Sequence, residues 1–561
     1  MNAEEKQNLF SRIRKVGKIT RREFLKSTGF ITGGTALGIV MADSAGGVKE
    51  IHAEAVEGIK NKPNEWSFEL PPSPIAKSEI TEVIKADVVV LGAGIGGLSA
   101  SLSAAQAGAK TILLEKTNKI TVHGGWNGAI NSRLQKKLGI RIDPCEVTEE
   151  IMRWGAYKPN YRLIKLWADK SGKVMDWVLD MTDESGLISI IEPGHRMDQG
   201  PFKHYRTAHL FMTKDDQPPF NTHLLSLLKE KAISAGVKML FETPAVQLIR
   251  KNNGKISGVI ANGLNGYLQF NSNAVVLCTG GYQNDPEMLA KYIPEASNIV
   301  ACWNFPKAMT GDGHKMGMWI GAAMDLLTQC PMFWDGGIPG AFMYPLTRLP
   351  WLNVNVLGER FANEDSPYGL TARADMRQPE HMKWVIWDSK WTTEAFKFKG
   401  DSDERMEGPM TFHGPKQIES LIERGVIITA STIEELGEKM KVPKEVFMST
   451  VRRYNELVRT GKDLDFGKPS YMLTTIEKKP FYAVKTGPAL VVTCSGLEIN
   501  TEIQVLDNSR EIIPGLYAAG DVSGGFFAND YPVTILGTAN SRALTFGRLA
   551  GLKAAKEKHI S

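Results

Sequence analysis

Cysteine is scarce in this 561-residue chain and never clustered. The five residues, Cys145, Cys278, Cys302, Cys330 and Cys494, are scattered, odd in number and without a C-x-x-C spacing. That pattern argues against a disulfide framework, an iron–sulfur cluster, a zinc site and a C-x-x-C-H haem attachment, and no metal is expected. An excess of one charge is also missing. The formal net charge is +5, and residues 1–55 hold nine Lys/Arg against six Asp/Glu, which leaves the rest near +2. Such balance gives no case for a nucleic-acid partner or a membrane-binding surface. No apolar run is long enough to span a bilayer, since the longest near the N-terminus, Phe30 to Ala42, is Gly-rich and short of the ~20 residues needed. Internal repeats and low-complexity tracts are absent after residue 55.

What is present begins with Thr20-Arg21-Arg22-Glu23-Phe24-Leu25-Lys26, followed by that short apolar run. Adjacent arginines with Thr, Phe, Leu and Lys around them, ahead of a weakly apolar stretch, mark a twin-arginine export signal. Ala53-Glu54-Ala55 offers a small-residue cleavage site, so the mature chain is expected to start at Val56. This reading makes the twin-arginine translocase a partner and the location periplasmic or extracytoplasmic. That route carries folded cargo, which suits a protein loaded with a cofactor before export. A chain of this length can build large cores, so export without disulfides is tolerable.

Residues 56–85 are rich in Pro, Ser and charge and read as a linker. Then Val88-Val89-Val90-Leu91 forms a short continuous apolar run, the pattern of a buried parallel strand. Gly92-Ala93-Gly94-Ile95-Gly96-Gly97 follows, leading into an Ala/Ser-rich helix and a second strand, Thr111–Leu114, that ends at Glu115. Gly92, Gly94 and Gly97 form G-x-G-x-x-G in the context that gives it meaning. The first glycine makes the turn, the second admits a pyrophosphate and the third packs helix on strand, while the helix N-terminus favours the phosphate charge. Glu115 stands where a carboxylate accepts hydrogen bonds from a ribose. Helical patterns are expected over 146–182 and 220–236, strands from Val246 to Val276 and at Ile512–Ala518, and a final helix over Ala543–Lys556.

The dinucleotide motif alone does not distinguish FAD from NAD. Ala274-Val275-Val276-Leu277-Cys278-Thr279-Gly280-Gly281, Gly515-Leu516-Tyr517-Ala518-Ala519-Gly520-Asp521 and Gly124-Gly125 together resemble the fumarate reductase/succinate dehydrogenase flavoprotein family. Thr310-Gly311-Asp312-Gly313, Gly358–Glu364, Arg453-Tyr454-Asn455 and Pro480–Ala483 extend the resemblance over most of residues 86–556. It implies an α/β fold: a Rossmann-type FAD-binding domain interrupted by an α+β capping domain. The expected boundaries are 86–324 and 493–561 for the FAD domain and 325–492 for the cap. The cofactor implied is FAD, with Asp521 on its ribityl chain. The positions brought to it are Gly92, Gly94, Ile95, Gly96, Gly97, Glu115, Lys116, Gly124, Gly125, Ala245, Val246, Thr279, Gly280, Gly281, Gly520 and Asp521. His123 lies eight residues after Glu115, a spacing similar to that of a flavinylated histidine. Aligning Gly124-Gly125 with soluble members shifts that match by two residues, so both covalent attachment and a packing or hydrogen-bonding role remain open.

The substrate positions depart from fumarate reductase. A small dianion calls for cationic donors, and arginine's planar fork suits carboxylates. The family's histidine segment reads here Val491-Val492-Thr493-Cys494-Ser495-Gly496, its clamp arginine falls on Thr534, and its acid arginine on Tyr368. Its H-P-T becomes Cys330-Pro331-Met332, and its relay glutamate falls near Tyr344, with only Arg348 close in sequence. These losses argue against a dicarboxylate. Tyr368 and the Asp530-Tyr531-Pro532 segment resemble instead the 3-ketosteroid dehydrogenases of the same superfamily. That likeness implies a proton-exchanging tyrosine at Tyr368 and a carbonyl-binding hydroxyl at Tyr531. It is incomplete, because their Y-P-G-x-G run is Tyr531-Pro532-Val533-Thr534-Ile535 here.

These residues suit an activated C=C bond in an enone or a bulky aromatic unsaturated carbonyl. Trp303, Phe305, Trp319, Phe333, Trp334, Phe342, Tyr344 and Trp351 are available to line an apolar pocket. Electrons are expected from an external carrier, a cytochrome or a quinol-linked donor, in an anaerobic respiratory step. Two alternatives stand beside this: an unsaturated-carboxylate reductase (urocanate-, cinnamate- or fumarate-like) using Arg348 as clamp, and a flavin-loaded electron-transfer subunit. The same site also runs in reverse as a ketosteroid-type dehydrogenase.

Overall fold

The computed structural model describes residues 66–120, 123–192, 203–213, 221–302, 307–338, 349–398 and 415–558, with two short paired strands at Ile39–Ala42 and Val48–Ile51. The twin-arginine segment, the expected cleavage site and Arg348 lie outside the described residues.

The first strand, β1 (Val88–Leu91), is buried at all four positions, as a strand covered on both faces must be. Helix α1 (Ile95–Gln106) starts directly after the glycine turn, and the next strand is β2 (Thr111–Leu114). Two later stretches return to the same sheet, β3 (Lys238–Leu240) and β4 (Ala274–Leu277). The chain then leaves it for β5 (Pro331–Gly337), α2 (Tyr368–Asp375), β6 (Lys383–Asp388) and the long β7 (Phe481–Thr493). It comes back with β8 (Gln504–Leu506), β9 (Ile512–Ala518) and α3 (Thr538–Ala554).

The central sheet runs β8-β9-β4-β1-β2-β3 and is parallel except for β8. Its strands come from both ends of the chain. The second large sheet is organised on β7, which pairs with β6, with β5, with Ile427–Ala430 and with Ala301–Cys302. A smaller sheet, Ala245–Arg250, Ile256–Gly263, Gly266–Asn271 and Ile80–Lys85, covers one flank.

Helices α1 and α3 touch backbone to backbone. A Cβ on Gly547 would fall 2.3 Å from the Gly96 carbonyl oxygen, and one on Gly551 would fall 2.1 Å from that of Ala100. Small residues at these contacts bring the start of α3 beside the glycine turn. In the second unit, fully buried Lys383 on β6 lies 3.0 Å from Asp375 on α2 and 3.2 Å from Asp335 on β5. Burial pushes the Asp375 carboxyl upward against the pull of Lys383.

Three expectations change. The final helix begins at Thr538 rather than Ala543, after Gly537 in a left-handed conformation. Its first turn is polar (Thr538, Asn540, Ser541, Arg542), so the apolar periodicity used to place it starts a turn late. The region 146–182 divides into Pro144–Trp154 and Tyr161–Ser185. Residues 66–85 are anchored to the body at two points: Phe68 is buried against Tyr292, ring centroids 5.8 Å apart, and Ile80–Lys85 pairs with Gly266–Asn271. That strand is exposed along most of its length, so it lacks the apolar run that betrays a central strand.

Candidate active site

A cavity partly open to solvent lies at the carboxyl ends of β1, β2, β4 and β9. This is where open parallel sheets bind ligands. The glycine turn forms one wall, and its three motif glycines are required for different reasons. Gly92 has φ +99°, and a Cβ there would lie 2.4 Å from the Cys278 carbonyl oxygen. A Cβ on Gly97 would lie 1.8 Å from the Gly92 carbonyl oxygen. Gly94 is extended (φ −77°, ψ −176°), and its Cβ would meet no protein atom within 4 Å. Nothing in the protein demands glycine at position 94. The open space in front of it does, as a pyrophosphate on the α1 N-terminus requires.

Glu115 is buried at the end of β2. It accepts hydrogen bonds from Ala93 N–H (2.8 Å), Thr117 N–H (2.8 Å) and Thr117 Oγ1 (2.8 Å). Its carboxylate ties the glycine turn to β2 and leaves about one lone-pair site for a ligand hydroxyl. Lys116 donates to Thr310 Oγ1 (2.8 Å) and Asp312 Oδ2 (2.7 Å) at the cavity edge. Two lining groups, Thr279 Oγ1 and Gln283 Nε2, are buried without a protein hydrogen-bond partner. Buried polar atoms are rarely left so, and their placement fits a polar cofactor. Asp521 accepts from Arg542 Nη2 (2.8 Å). Burial raises its carboxyl above the ordinary value, while Arg542 and His123 pull the other way. Asn540 donates to the carbonyls of His123 (3.2 Å) and Trp126 (3.0 Å), holding the Gly124-Gly125 turn against α3.

Gly92, Gly94, Ile95, Gly96, Glu115, Lys116, Ala245, Thr279, Gly280, Gly520 and Asp521 all line the cavity, as does His123. Gly97, Gly124, Gly125, Val246 and Gly281 do not. Gly97 and Gly281 pack behind the wall, the latter with a virtual Cβ 2.3 Å from Thr493 Oγ1. Sequence reasoning missed Cys278, Gln283, Met309, Asp312 and Asn540 as lining residues. Asp312 lay in a segment already singled out; Asn540 belongs to no motif.

The two tyrosines lie outside this cavity, in a neighbouring region. Tyr368 is the first residue of α2 and is buried, its ring 4.7 Å from that of Trp334. Tyr531 is buried beside Phe527, ring centroids 5.2 Å apart, and its hydroxyl oxygen accepts from Ala539 N–H (3.2 Å) at the start of α3. Burial holds the Tyr531 hydroxyl above its ordinary range, so it stays protonated. Ala539 itself lines the cavity. Asp530, adjacent to Tyr531, pairs with Arg373 of α2 at 2.6 Å, and burial pushes its carboxyl to about 6 despite that arginine. Cys330 and Cys494 lie opposite each other, just before β5 and just after β7, where Cys494 N–H donates to the Cys330 carbonyl (2.8 Å), and burial raises both thiols. Of the aromatic residues, Phe333 and Trp351 are core, Trp319 donates to the Phe68 carbonyl (2.9 Å), and Trp334 faces Tyr368. Trp303, Phe305, Phe342 and Tyr344, like Arg348, are outside the described residues. Among the described residues no group of three or more His, Cys, Asp or Glu is placed to hold a metal, and no helix is long and apolar enough to cross a membrane.

Residues 87–532 match the family described as an FAD binding domain. The chain belongs to that family. It is 28% identical over 486 residues to a fumarate reductase (cytochrome) of Shewanella frigidimarina, covering 84% of this chain and 77% of the relative. It is also 28% identical over 497 residues to a vinyl phenol reductase of Lactiplantibacillus plantarum, covering 84% of this chain and 97% of the relative. Its fold is similar to that of a 3-ketosteroid Δ1-dehydrogenase from Sterolibacterium denitrificans, with a TM-score of 0.67 at 20% identity over 84% of this chain and 100% of the other. This protein is therefore an FAD-dependent oxidoreductase acting on carbon–carbon bonds.

Proposed function

We propose that this protein is an exported reductase of a C=C bond conjugated to a carbonyl or an aromatic ring, fed with electrons by an external carrier. The observation that carries this reading is the state of the arginines beside the two tyrosines. Arg373 is engaged with Asp530, Glu295 and the Asn529 carbonyl, and fully buried Arg542 with Asp521 and the Ser523 carbonyl. Arg373 is not left for a substrate carboxylate, Arg542 keeps only its buried Nε unengaged, and the remaining cationic positions of a dicarboxylate site are Val491, Val492, Thr534 and Cys330. A neutral, largely apolar acceptor suits such surroundings.

Bound FAD supplies the hydride for reduction and accepts one in the reverse direction. The chain's own part is proton placement. The Tyr531 oxygen accepts the Ala539 N–H and has Thr538 as a second hydrogen-bond neighbour, and in this reading its proton turns to a substrate oxygen as negative charge builds there. Tyr368 is assigned the proton delivered to the carbon next to the activating group. Trp334, against Tyr368, offers an aromatic face to a ring-bearing substrate. Similarity to a vinyl phenol reductase over nearly its whole length favours an aromatic alkene as a second acceptor class.

The test is anaerobic stopped-flow reoxidation of the photoreduced FAD-loaded protein, followed near the flavin absorbance maximum. Acceptors would be fumarate, urocanate, cinnamate, 4-vinylphenol, cyclohex-2-en-1-one and a Δ1-unsaturated ketosteroid. Fast reoxidation by an enone, ketosteroid or vinylphenol and not by fumarate is expected. Reoxidation by carboxylates alone would sink the reading and redirect attention to Arg348; silence across the panel would favour an electron-transfer subunit. Export rests on Arg21-Arg22 and the run after it. Changing both to lysine should leave FAD-loaded precursor in the cytoplasm of an expressing cell, as read by fractionation, and unchanged export would refute the twin-arginine assignment.

A further inference from the structure

Arg373 joins three stretches of chain that are far apart in sequence. On α2, five residues after Tyr368, its Nη1 donates to Asp530 Oδ2 (2.6 Å) and its Nη2 to the Asn529 carbonyl (2.6 Å). Nη2 also meets Glu295 Oε1 (3.0 Å), and Nε meets Oε2 of the same carboxylate (3.3 Å). The guanidinium sits 5.1 Å over the Phe333 ring. Arginine's rigid fork makes such multiple, directed bonds where lysine makes one.

The other side of the contact is equally specific. Asp530 uses its second oxygen, Oδ1, to accept the N–H of Tyr531 at 2.8 Å. The same carboxylate presses on the first turn of α2, since a Cβ on Gly369 would lie 2.5 Å from both Asp530 oxygens. Gly369 is the neighbour of Tyr368. One carboxylate therefore touches Tyr531 itself and the neighbour of Tyr368, and one arginine holds it there. The far end of α2 is tied differently, through Asp375 to Lys383 of β6 (3.0 Å).

We infer that Arg373 is a positioning residue, a latch that docks α2 onto the 529–531 segment and sets the spacing of the Tyr368 and Tyr531 hydroxyls. This rests on the reading of those tyrosines as proton donors. The latch joins a helix of the β7 sheet unit to segments that flank the FAD cavity, so its release frees Tyr368 without touching the nucleotide site. A displacement of about 1 Å at a reacting group can slow a reaction about 100-fold.

The experiment uses FAD-loaded Arg373→Gln, Arg373→Lys, Asp530→Asn and the Arg373→Gln/Asp530→Asn double variant, each first checked for FAD content. Hydrogen–deuterium exchange of amides 368–375 is measured alongside reoxidation of the photoreduced flavin by cyclohex-2-en-1-one and 4-vinylphenol. Arg373→Gln should raise exchange in 368–375 by about tenfold or more. It should lower the limiting reoxidation rate about 10- to 100-fold while the half-saturating acceptor concentration changes little. Arg373→Lys should recover part of that rate, and the double variant should be no slower than the worse single one. Unchanged exchange, or rate losses that multiply in the double variant, would overturn the latch. Faster exchange with an unchanged rate would overturn its positioning role. A wild-type flavin that neither probe reoxidises is instead a failure of the functional reading, and the exchange data still decide whether α2 is held by Arg373.

Discussion

Replacing Gly94 by alanine is expected to give a chain that folds and fails to hold FAD. Position 94 has an ordinary extended backbone, and a methyl group there meets no protein atom within 4 Å. The apoprotein therefore has no reason to lose stability, and the cost appears only when a pyrophosphate approaches. Overpacking of that kind costs about 1–3 kcal/mol, roughly 5- to 150-fold in FAD affinity. Gly97→Ala is expected to behave differently. Its methyl group would lie 1.8 Å from the Gly92 carbonyl oxygen, so α1 must move away from the strand it packs on, with or without cofactor. The measurements are the 450/280 nm absorbance ratio after purification, FAD titration of the stripped protein, and thermal unfolding of both apoproteins. The expected pattern is normal apo unfolding and weak FAD binding for Gly94→Ala, against a lowered apo unfolding temperature for Gly97→Ala. Full FAD occupancy in Gly94→Ala would show that the nucleotide does not lie over this turn.

The nucleotide half of the site was legible because its chemistry is local. Val88–Leu91, the glycine turn, α1 and Thr111–Leu114 with Glu115 at its end form one contiguous stretch in which each residue type has a steric or electrostatic cause. Glu115 illustrates the limit of that legibility. Its ribose role was inferred from spacing, whereas its bonds to Ala93 and Thr117, which hold the turn itself, depend on how two loops meet. Asn540 and Gln283 were invisible for the same reason: neither stands in a motif, and each reaches the cavity only because α3 packs on α1 or because the chain turns after β4. The polar first turn of α3 hid its own start, since residues committed to Asp521, Trp167 and the loop before Trp126 break the apolar period. The state of the arginines, on which the choice of substrate class turns, was not readable at all. A sequence shows that Arg373 and Arg542 exist, and only packing shows that they are spent on carboxylates.

Removing the Tyr531 hydroxyl should slow the chemical step more than it weakens any binding. Tyr531→Phe is expected to lower the limiting rate of flavin reoxidation by an enone about 100- to 1000-fold, the usual loss when a preorganised donor to a developing oxyanion is deleted. It also strips the Ala539 N–H of its acceptor, at about 1–3 kcal/mol if that group stays dry, so stability must be measured beside the rate. Tyr368→Phe should cost about 100- to 10,000-fold, the range for a general acid. The two differ in signature. Loss of the proton donor at carbon should change the solvent deuterium isotope effect on reoxidation and abolish enzyme-catalysed exchange of the α-hydrogen of the saturated ketone with solvent. Loss of the carbonyl donor should leave that exchange detectable relative to turnover. Neither tyrosine lines the nucleotide cavity, so both variants should retain FAD in full. Rates within tenfold of wild type in both variants would remove the tyrosines from the chemistry and leave Tyr531 as a buried hydroxyl that caps the start of α3.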